Sequence, residues 1–195
     1  MTSQEYLDLG LPEGLEMVNE NGRLDIRRKW FSPVFIFTAF FAVIWCGFLV
    51  MWYATLGSFS SEDGAGGSHM LIFYLFPLLH VAVGIGLLYY SLCGFLNKTL
   101  IRADWENLTI KHYPLPWKGN RIIPRQDIKQ LYVKQIEVRS RGSLSITYEV
   151  HLLTQSSRDI KLLSNLPNKE QAAFIEQEVE KYLQIQNIPV RGEYS

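Results

Sequence analysis

The 195-residue sequence contains little cysteine and, over two long stretches, no charge. Cysteine occurs only as Cys46 and Cys93, which is too few for the disulfide framework of a small secreted domain. No formal charge occurs between Trp30 and Ser61 or between Gly64 and Asn97, although the chain carries 19 basic and 19 acidic residues. The two uncharged stretches predict segments that are surrounded by apolar material rather than by water.

Recognisable catalytic, metal-binding and cofactor-binding motifs are also missing. The four histidines fall in different predicted elements, with no ligand spacing between any two: His69, His80, His112 and His151. Asp104 and Glu106 could serve acid–base chemistry, but their Asp-Trp-Glu-Asn sequence is typical of a hairpin turn. No phosphate loop, nucleophile elbow or dinucleotide fingerprint occurs. We therefore expect no enzyme activity and neither a cofactor nor a metal site.

The uncharged stretches predict a transmembrane helical hairpin. A spanning helix needs about 20 apolar residues, and the spans predicted at about 31–55 and 70–96 both supply them. The connector between them contains Glu62 and Asp63 and no basic residue, whereas a basic cluster precedes the first span. By the positive-inside rule, both termini then face the cytoplasm. No signal peptide is expected, because the polar N-terminal segment precedes an apolar run without a small-residue cleavage site.

The N-terminal segment contains a predicted β-hairpin. Asn21-Gly22 favours a two-residue turn, and this turn places Met17 opposite Ile26 on a mostly apolar face. The same register pairs Asn19 with Leu24. Two strands alone are marginally stable, so we expect the hairpin to join the strands that follow the second span.

After the second span the pattern changes to short runs of period two, which predict strands. These strands are expected at 99–103, 108–113, 128–138, 144–153 and 158–163. A slip of the apolar parity between Val133 and Ile136 predicts a bulge. Together with the hairpin, this makes seven strands.

An amphipathic helix is predicted after the last strand. Asn168 can cap it, with Gln171 at the capping-box position. Its apolar stripe should cover the strands, and the solvated face is expected to carry Glu170, Glu176, Glu178, Glu180 and Lys181. The predicted parts are a cytoplasmic segment (1–29), the transmembrane hairpin (30–97), a cytoplasmic domain (98–185) and a tail (186–195).

Several framework segments carry a resemblance to a known family. They are Ile26-Arg27-Arg28-Lys29-Trp30, Thr99-Leu100-Ile101, Leu108-Thr109-Ile110, Pro114-Leu115-Pro116-Trp117, Ile128-Lys129-Gln130-Leu131-Tyr132 and residues 168–183. In this order, the chain resembles bacterial membrane proteins that place a pleckstrin-homology-like (PH-like) domain directly after a two-helix membrane hairpin. The resemblance implies an α+β membrane protein with a seven-stranded barrel or sandwich, a C-terminal helix and a location in the bacterial inner membrane. It also implies binding of headgroups, peptides or subunits, and it carries over no catalytic residues.

Basic residues near the predicted membrane surface form the first candidate site. Residues 97–161 contain twelve basic and six acidic residues, whereas residues 164–195 contain three and five. The residues expected to contact an anionic leaflet are Arg27, Arg28, Lys29, Lys98 and Arg102. Alternatively, these charges only set topology and solubility. Nucleic acid is not an expected partner, because the basic residues are dispersed over strands.

A proline-containing loop is the second candidate. Pro114, Pro116, Trp117 and Lys118 belong to a rigid segment between strands that could bind a partner at one rim of the barrel. The alternative is local structure, in which the prolines suppress edge pairing and Trp117 closes the barrel end.

Within the predicted spans, three residues are singled out. His80 is an ionisable group deep in the apolar region, which suggests a proton relay or a subunit contact. A structural role, with a neutral ring hydrogen-bonded to the backbone or to the other helix, is the alternative. Gly84 and Gly86 allow close helix approach and predict packing against another copy or subunit.

These expectations favour a non-enzymatic inner-membrane scaffold or adaptor. Its PH-like domain would bind a protein partner or assemble with itself at the cytoplasmic leaflet, with anionic lipid headgroups as a second mode. An accessory subunit of a larger transporter or envelope complex is the first alternative. An enzyme of lipid metabolism is the second, and it would need acid, base or metal ligands clustered at the headgroup level.

Overall fold

The computed structural model describes residues 10–20, 22–62, 73, 75–140 and 143–186. The chain is an α+β protein that divides into two compact units. Met1–Lys29 and Lys98–Ser195 belong to the first, called here the sheet unit, and Trp30–Asn97 form the second, the helical unit. Apart from Gln186, the predicted tail lies outside the described residues.

The helical unit contains two apolar helices, α1 (Pro33–Glu62) and α2 (Leu78–Leu96). Both are long and apolar enough to cross a membrane. Pro77 occupies the N-cap of α2, and its carbonyl accepts a hydrogen bond from the Val81 amide at 2.8 Å. Proline fits this position because the first amides of a helix have no partner within it. Pro77 therefore marks the start of α2.

The larger sheet of the sheet unit has five antiparallel strands in sequential order. They are β1 (Leu15–Glu20), β2 (Arg23–Lys29), β3 (Lys98–Ala103), β4 (Asn107–Tyr113) and β5 (Arg121–Pro124). The predicted hairpin register is confirmed, since Met17 pairs with Ile26 and Asn19 with Leu24. Strand β2 then pairs with β3 from Leu24 to Lys29, which joins the hairpin to the later strands.

The smaller sheet has three antiparallel strands, β6 (Ile128–Ser140), β7 (Ser143–Thr154) and β8 (Asp159–Leu166). A short 3₁₀ turn (Arg125–Asp127) separates β5 from β6. The part of the chain that the structure describes thus has eight strands, not seven. The missed strand is β5, which has only four residues and ends in a proline, so its alternation is too short to detect.

The predicted bulge between Val133 and Ile136 is wrong. Pairing of β6 with β7 is continuous there, and the register shift on β6 lies between Ile128 and Gln130. Beyond Tyr148, β7 has no further partner in β8, so Ile146 is 41% exposed although it continues the apolar parity of Val150. Alternation of apolar and polar residues is maintained only where one face of a strand is buried. The irregular alternation between Val133 and Ile136 reflects the loss of burial in this part of the sheet.

Helix α3 (Lys169–Leu183) packs against β6 and β7 and completes the core. Asn168 occupies its N-cap, but no side-chain capping bond forms, and the Gln171 amide instead donates to the Glu13 carbonyl at 2.6 Å. The expected solvated face is wrong for Glu176 and Glu180, which are buried, whereas Glu170 and Lys181 are exposed. A Glu180 carboxylate oxygen accepts the Leu131 amide of β6 at 2.9 Å, which compensates part of the cost of burial.

Candidate functional site

Cross-strand pairing divides the five-stranded sheet into two faces. Ile26, Ile101 and Ile110 are paired in one row across β2, β3 and β4 and are buried, so they define the inner face. Side chains alternate along a strand, and directly paired residues point to the same side. The opposite, outer face carries six basic residues, Arg23, Arg27, Lys29, Lys98, Arg102 and Lys111, and the acidic residues Glu16, Glu20 and Asp25. We call this the basic face; its formal charge is six minus three, or +3.

One end of this face is also where the chain enters and leaves the sheet unit. Lys29, the last residue of β2, pairs with Lys98, the first residue of β3. Residues 30–32 connect β2 to α1, and Asn97 alone connects α2 to β3. We call this the link end. Three of the five residues expected to contact the leaflet, Arg27, Lys29 and Lys98, lie together on the basic face at the link end.

Arg102 lies on the same face but is committed to an internal ion pair. Its guanidinium donates to both carboxylate oxygens of Asp25, at 2.7 and 2.8 Å, and the Asp25 side chain is only 5% exposed. The hydrogen bonds from Arg102 lower the pKa of Asp25, and the same bonds raise the pKa of Arg102. Arg102 therefore holds β2 to β3, and little of its charge is left for a ligand.

Arg28 lies on the opposite face from the other predicted leaflet residues. Its guanidinium donates to the Asn165 carbonyl at the end of β8 at 2.9 Å, so it bridges the two sheets. Burial lowers the pKa of Arg28. Alternation along the predicted strand already places Arg28 on the same face as Ile26, which is two residues away. The three consecutive basic residues Arg27, Arg28 and Lys29 therefore do not form one surface cluster.

Lys111 belongs to the basic face but was not among the predicted residues. It pairs with Leu100, which in turn pairs with Arg27, so the three lie in one row across β4, β3 and β2. Two features of the sequence could have revealed it. Leu108 and Ile110 alternate with Thr109 and Lys111, and the hairpin turn predicted at Asp-Trp-Glu-Asn places this strand beside the strand that follows Lys98.

The predicted rim loop is held against His112. The Asn120 side-chain oxygen accepts the His112 amide at 2.7 Å, and a Cβ atom at Gly119 would lie 3.0 Å from His112 Nε2. Gly119 has φ +108°, a conformation that favours glycine. Burial, followed by the charge of Arg28, lowers the pKa of His112. Within this loop Trp117 is half-buried, whereas Pro114, Pro116 and Lys118 are exposed.

In the helical unit, His80 packs against aromatic rings. Its imidazole stacks on Trp45 with ring centroids 5.6 Å apart, and the Trp45 indole donates to the His80 carbonyl at 3.0 Å. Phe76 lies 5.5 Å from the same imidazole. Within the described part of the chain, His80 Nδ1 has no hydrogen-bond partner, so the expected hydrogen bond from the ring is not formed at this atom. This packing provides a structural role for His80, and a proton relay or subunit contact stays a prediction.

The two predicted packing glycines differ in their surroundings. A Cβ at Gly84 would lie 3.2 Å from Trp45 and 3.3 Å from the Cys46 sulfur, so Gly84 serves contact between α1 and α2. Among the residues that the structure describes, a Cβ at Gly86 would meet nothing within 4 Å. Gly86 therefore leaves room for a neighbouring helix, whereas the surface at Gly84 is already covered by α1. Both Cys46 and Cys93 are free thiols.

A polar network occupies the outer face of the three-stranded sheet. His151 Nδ1 lies 2.7 Å from Asp159, and Nε2 lies 2.9 Å from Glu149. Lys134 donates to Asp159 and Lys161 to Glu149, each at 3.0 Å. Each ring nitrogen of His151 therefore lies within hydrogen-bond distance of a carboxylate oxygen. The network links three strands by charge and was not anticipated from sequence spacing.

An open pocket of about 590 Å³ adjoins the 3₁₀ turn and is lined by Trp105, Arg125, Ile128 and Gln155 among others. The Arg125 guanidinium lies 5.5 Å from the Trp105 ring centroid and donates to the Leu183 carbonyl at 2.7 Å. Beside it, Asp104 accepts two backbone amides, those of Glu106 and Asn107, at 2.9 and 2.7 Å. The turn interpretation of Asp104 is therefore confirmed.

No cluster of three metal-binding side chains occurs in the described ranges. A scan against known protein families finds no match to this chain, and a search of curated proteins finds none. The geometry of the basic face, the rim loop and the apolar helices must therefore carry the functional interpretation.

Proposed function

We propose that this protein is a non-enzymatic scaffold or adaptor of the bacterial inner membrane. In this proposal α1 and α2 span the bilayer and hold a PH-like sheet unit at the cytoplasmic leaflet, where it binds a protein partner or another copy of the chain. The observation that carries the proposal is the link end, where Lys29 and Lys98 are paired and only residues 30–32 and Asn97 separate the sheet from the helices. The chain therefore passes between the two units through two short covalent links.

The surface of the helical unit supports placement in a membrane. Large apolar side chains on both helices are strongly exposed, for example Phe37 and Leu79 at 72% and Val50 at 71%. A continuous apolar surface of this kind is unfavourable in water and favourable in hydrocarbon. The acidic connector and the basic link end favour cytoplasmic termini.

The sheet unit supports the PH-like assignment through its architecture. Two antiparallel sheets enclose one core, and the C-terminal helix α3 packs across β6 and β7. Such domains present loops and sheet edges to their partners, and the rim loop with Pro114, Pro116, Trp117 and Lys118 is the surface proposed for a protein partner.

Anionic lipid headgroups are the second proposed binding mode. The basic face has a formal charge of +3, and its unpaired basic residues lie toward the link end. Each basic group near an anionic leaflet contributes about 1 kcal/mol of attraction. Anchoring by α1 and α2 would keep this face within the range of that attraction.

Gly86 favours one alternative, an accessory subunit of a larger transporter or envelope complex. Its open side on α2 offers close backbone approach to a third helix. Purification in mild detergent separates the two functions. A scaffold is expected alone, as a homo-oligomer or with a soluble partner, whereas a subunit is expected to bring defined membrane chains in fixed ratio.

Topology is tested by labelling single cysteines in a variant with Cys46→Ala and Cys93→Ala. A cysteine introduced at Ser61 is expected to react from outside, and one at Ser195 only after the inner face is opened. The reverse pattern, or recovery of the protein in the soluble fraction, would contradict the proposal.

A further inference from the structure

Three basic side chains at the link end remain without an ion-pair partner once the pairs on the basic face are assigned. Arg102 is held by Asp25, and Lys29 contacts Glu16 at 2.8 Å. No carboxylate in the described ranges forms an ion pair with Arg27, Lys98 or Lys111. We propose that Arg27, Lys98 and Lys111 form a discrete binding site for a phosphate-type oxyanion.

The sheet itself places these three residues around one point. Arg27 and Lys111 flank Leu100 on the neighbouring strands β2 and β4, and Lys98 precedes Leu100 by two residues on β3. Neighbouring strands lie about 4.8 Å apart, and residues two apart on a strand lie about 7 Å apart on the same face. The three side chains therefore start within reach of one tetrahedral anion.

Glu16 lies beside the site and tunes its charge. Hydrogen bonding and charge attraction from Lys29 lower the pKa of Glu16, and the charges of Lys98 and Arg27 lower it further. Glu16 thus adds a negative charge beside the site, and it is shared with Lys29. The local charge, four basic residues against one acidic, leaves +3 for an incoming ligand.

The composition fits a phosphate better than a carboxylate. A guanidinium can bind two oxygens of one phosphate at once, while two lysine ammonium groups neutralise the remaining charge without demanding a fixed angle. The phosphate could belong to a lipid headgroup or to a free phosphorylated molecule. The headgroup source rests on the proposed membrane placement, whereas the free source does not.

The test uses the full chain purified in neutral detergent. Native mass spectrometry measures how much phosphatidic acid is retained from a fixed mixture with phosphatidylcholine, with and without inorganic phosphate as competitor. Removing one cation of the site by Lys111→Gln or Arg27→Gln is expected to lower retention about fivefold, the factor equivalent to about 1 kcal/mol per basic group. Arg23→Gln removes the same charge from β2 at the opposite end of the basic face and should have little effect.

Glu16→Gln provides a variant in which the expected change in lipid retention has the opposite direction. Removing the competing carboxylate is expected to increase phosphatidic acid retention, an outcome that a purely structural role of the lysines does not produce. Equal losses in Lys111→Gln and Arg23→Gln, or no increase in Glu16→Gln, would overturn the discrete site and leave only diffuse attraction to the leaflet.

The two sources are distinguished by competition. Displacement of the lipid by inorganic phosphate at low millimolar concentration supports a site for free phosphorylated molecules. The lipid headgroup is supported if lipid retention is lowered by Lys111→Gln but is not lowered by inorganic phosphate. The proposed membrane placement is tested separately, by cysteine labelling of the topology. Failure of the phosphate site therefore does not imply failure of the membrane proposal, and the reverse also holds. Equal retention by the wild type and all four variants overturns the site.

Discussion

Charged residues of the sheet unit find their partners mainly on neighbouring strands. Asp25 meets Arg102 across β2 and β3, and Asp159 meets His151 across β7 and β8. Each pair involves residues that alternation alone places on the same face but not side by side. The partner is set by the register of two neighbouring strands, which for Asp25 and Arg102 joins residues 77 positions apart in the sequence. This register fixes the pKa of the carboxylate as well as the contact.

Asp159 gives a pH-dependence at the residue scale. Burial raises its pKa, but hydrogen bonds from His151 and Lys134 outweigh burial, and the pKa falls from 3.8 to about 2. A carboxylate with a depressed pKa stabilises the fold above its unfolded-state pKa, and this stabilisation is lost as the pH falls from about 4 through about 2. Asp159→Asn is therefore expected to be less stable at neutral pH and to show a shallower loss in acid.

Urea denaturation followed by the circular dichroism of the sheets, at neutral and acidic pH, measures both effects of Asp159→Asn. Asp127→Asn is the matched control, because Asp127 is exposed and lies on the 3₁₀ turn outside the network. The same acid sensitivity in wild type and Asp159→Asn would show that Asp159 contributes nothing to the pH-dependence.

At the scale of elements, helix α3 shows where apolar periodicity misleads. Its apolar stripe correctly predicts a helix that packs on the strands, yet the buried face is wider than the stripe and includes Gln171, Glu176 and Glu180. Acidic side chains at the edge of an apolar stripe are expected to point into solvent. Glu180 is buried instead, because its carboxylate accepts a hydrogen bond from a backbone amide of β6.

Glu180→Ala is expected to destabilise the sheet unit by about 2 kcal/mol, because it leaves the buried Leu131 amide without its acceptor. Glu180→Gln keeps an acceptor oxygen and should cost less. Urea denaturation of both variants is compared with Glu178→Ala, which removes a more exposed carboxylate from the same helix. A Glu180→Ala protein as stable as Glu178→Ala would argue against the proposed anchoring of α3 to β6.

The helical unit permits a comparison between two glycines on α2. A Cβ at Gly94 would overlap the Phe35 ring, whereas one at Gly86 meets open space. Gly94→Ala is therefore expected to destabilise the pair of helices by about 1–3 kcal/mol, the usual cost of overpacking. Gly86→Ala should leave the isolated chain unchanged.

Thermal denaturation in detergent, followed by helix circular dichroism, separates the two glycine variants. Crosslinking in membranes adds a second comparison, since Gly86→Leu should reduce association with a neighbour if that open side is used. Equal destabilisation by Gly86→Ala and Gly94→Ala would contradict the described packing.

At the scale of the whole molecule, one unit is assembled from two distant parts of the chain. The N-terminal hairpin supplies Leu15, Leu24 and Ile26 to the core that is otherwise built from residues after 97. Because Lys29 pairs directly with Lys98, a short turn can in principle replace residues 30–97. The sheet unit should then fold without the helices.

We expect a fusion of residues 10–29 to 98–186 through a short Gly-Asn turn to unfold cooperatively in water. The fragment 98–186 alone loses three buried apolar side chains worth about 1.5–3 kcal/mol each, and it should be less stable by about 5 kcal/mol or fail to fold. Urea denaturation of both proteins measures the difference. Equal stability of fragment and fusion would show that the hairpin is dispensable.

The sequence alone determined the features that depend on nearby residues. Uncharged apolar length predicts two helices, and turn chemistry with period-two alternation predicts the register of β1 and β2 and the presence of most strands. These signals are local, because solvent exclusion and turn geometry act over a few residues.

Only the tertiary structure decided which side chains meet. It joined Arg28 to the Asn165 carbonyl, withdrew Arg102 into a pair with Asp25 and buried Glu180 under β6. Each outcome depends on pairing between segments up to 137 residues apart, as for Arg28 and Asn165. Such partners are selected by the free energy of the whole core and by the need to satisfy buried polar groups, which no local pattern contains.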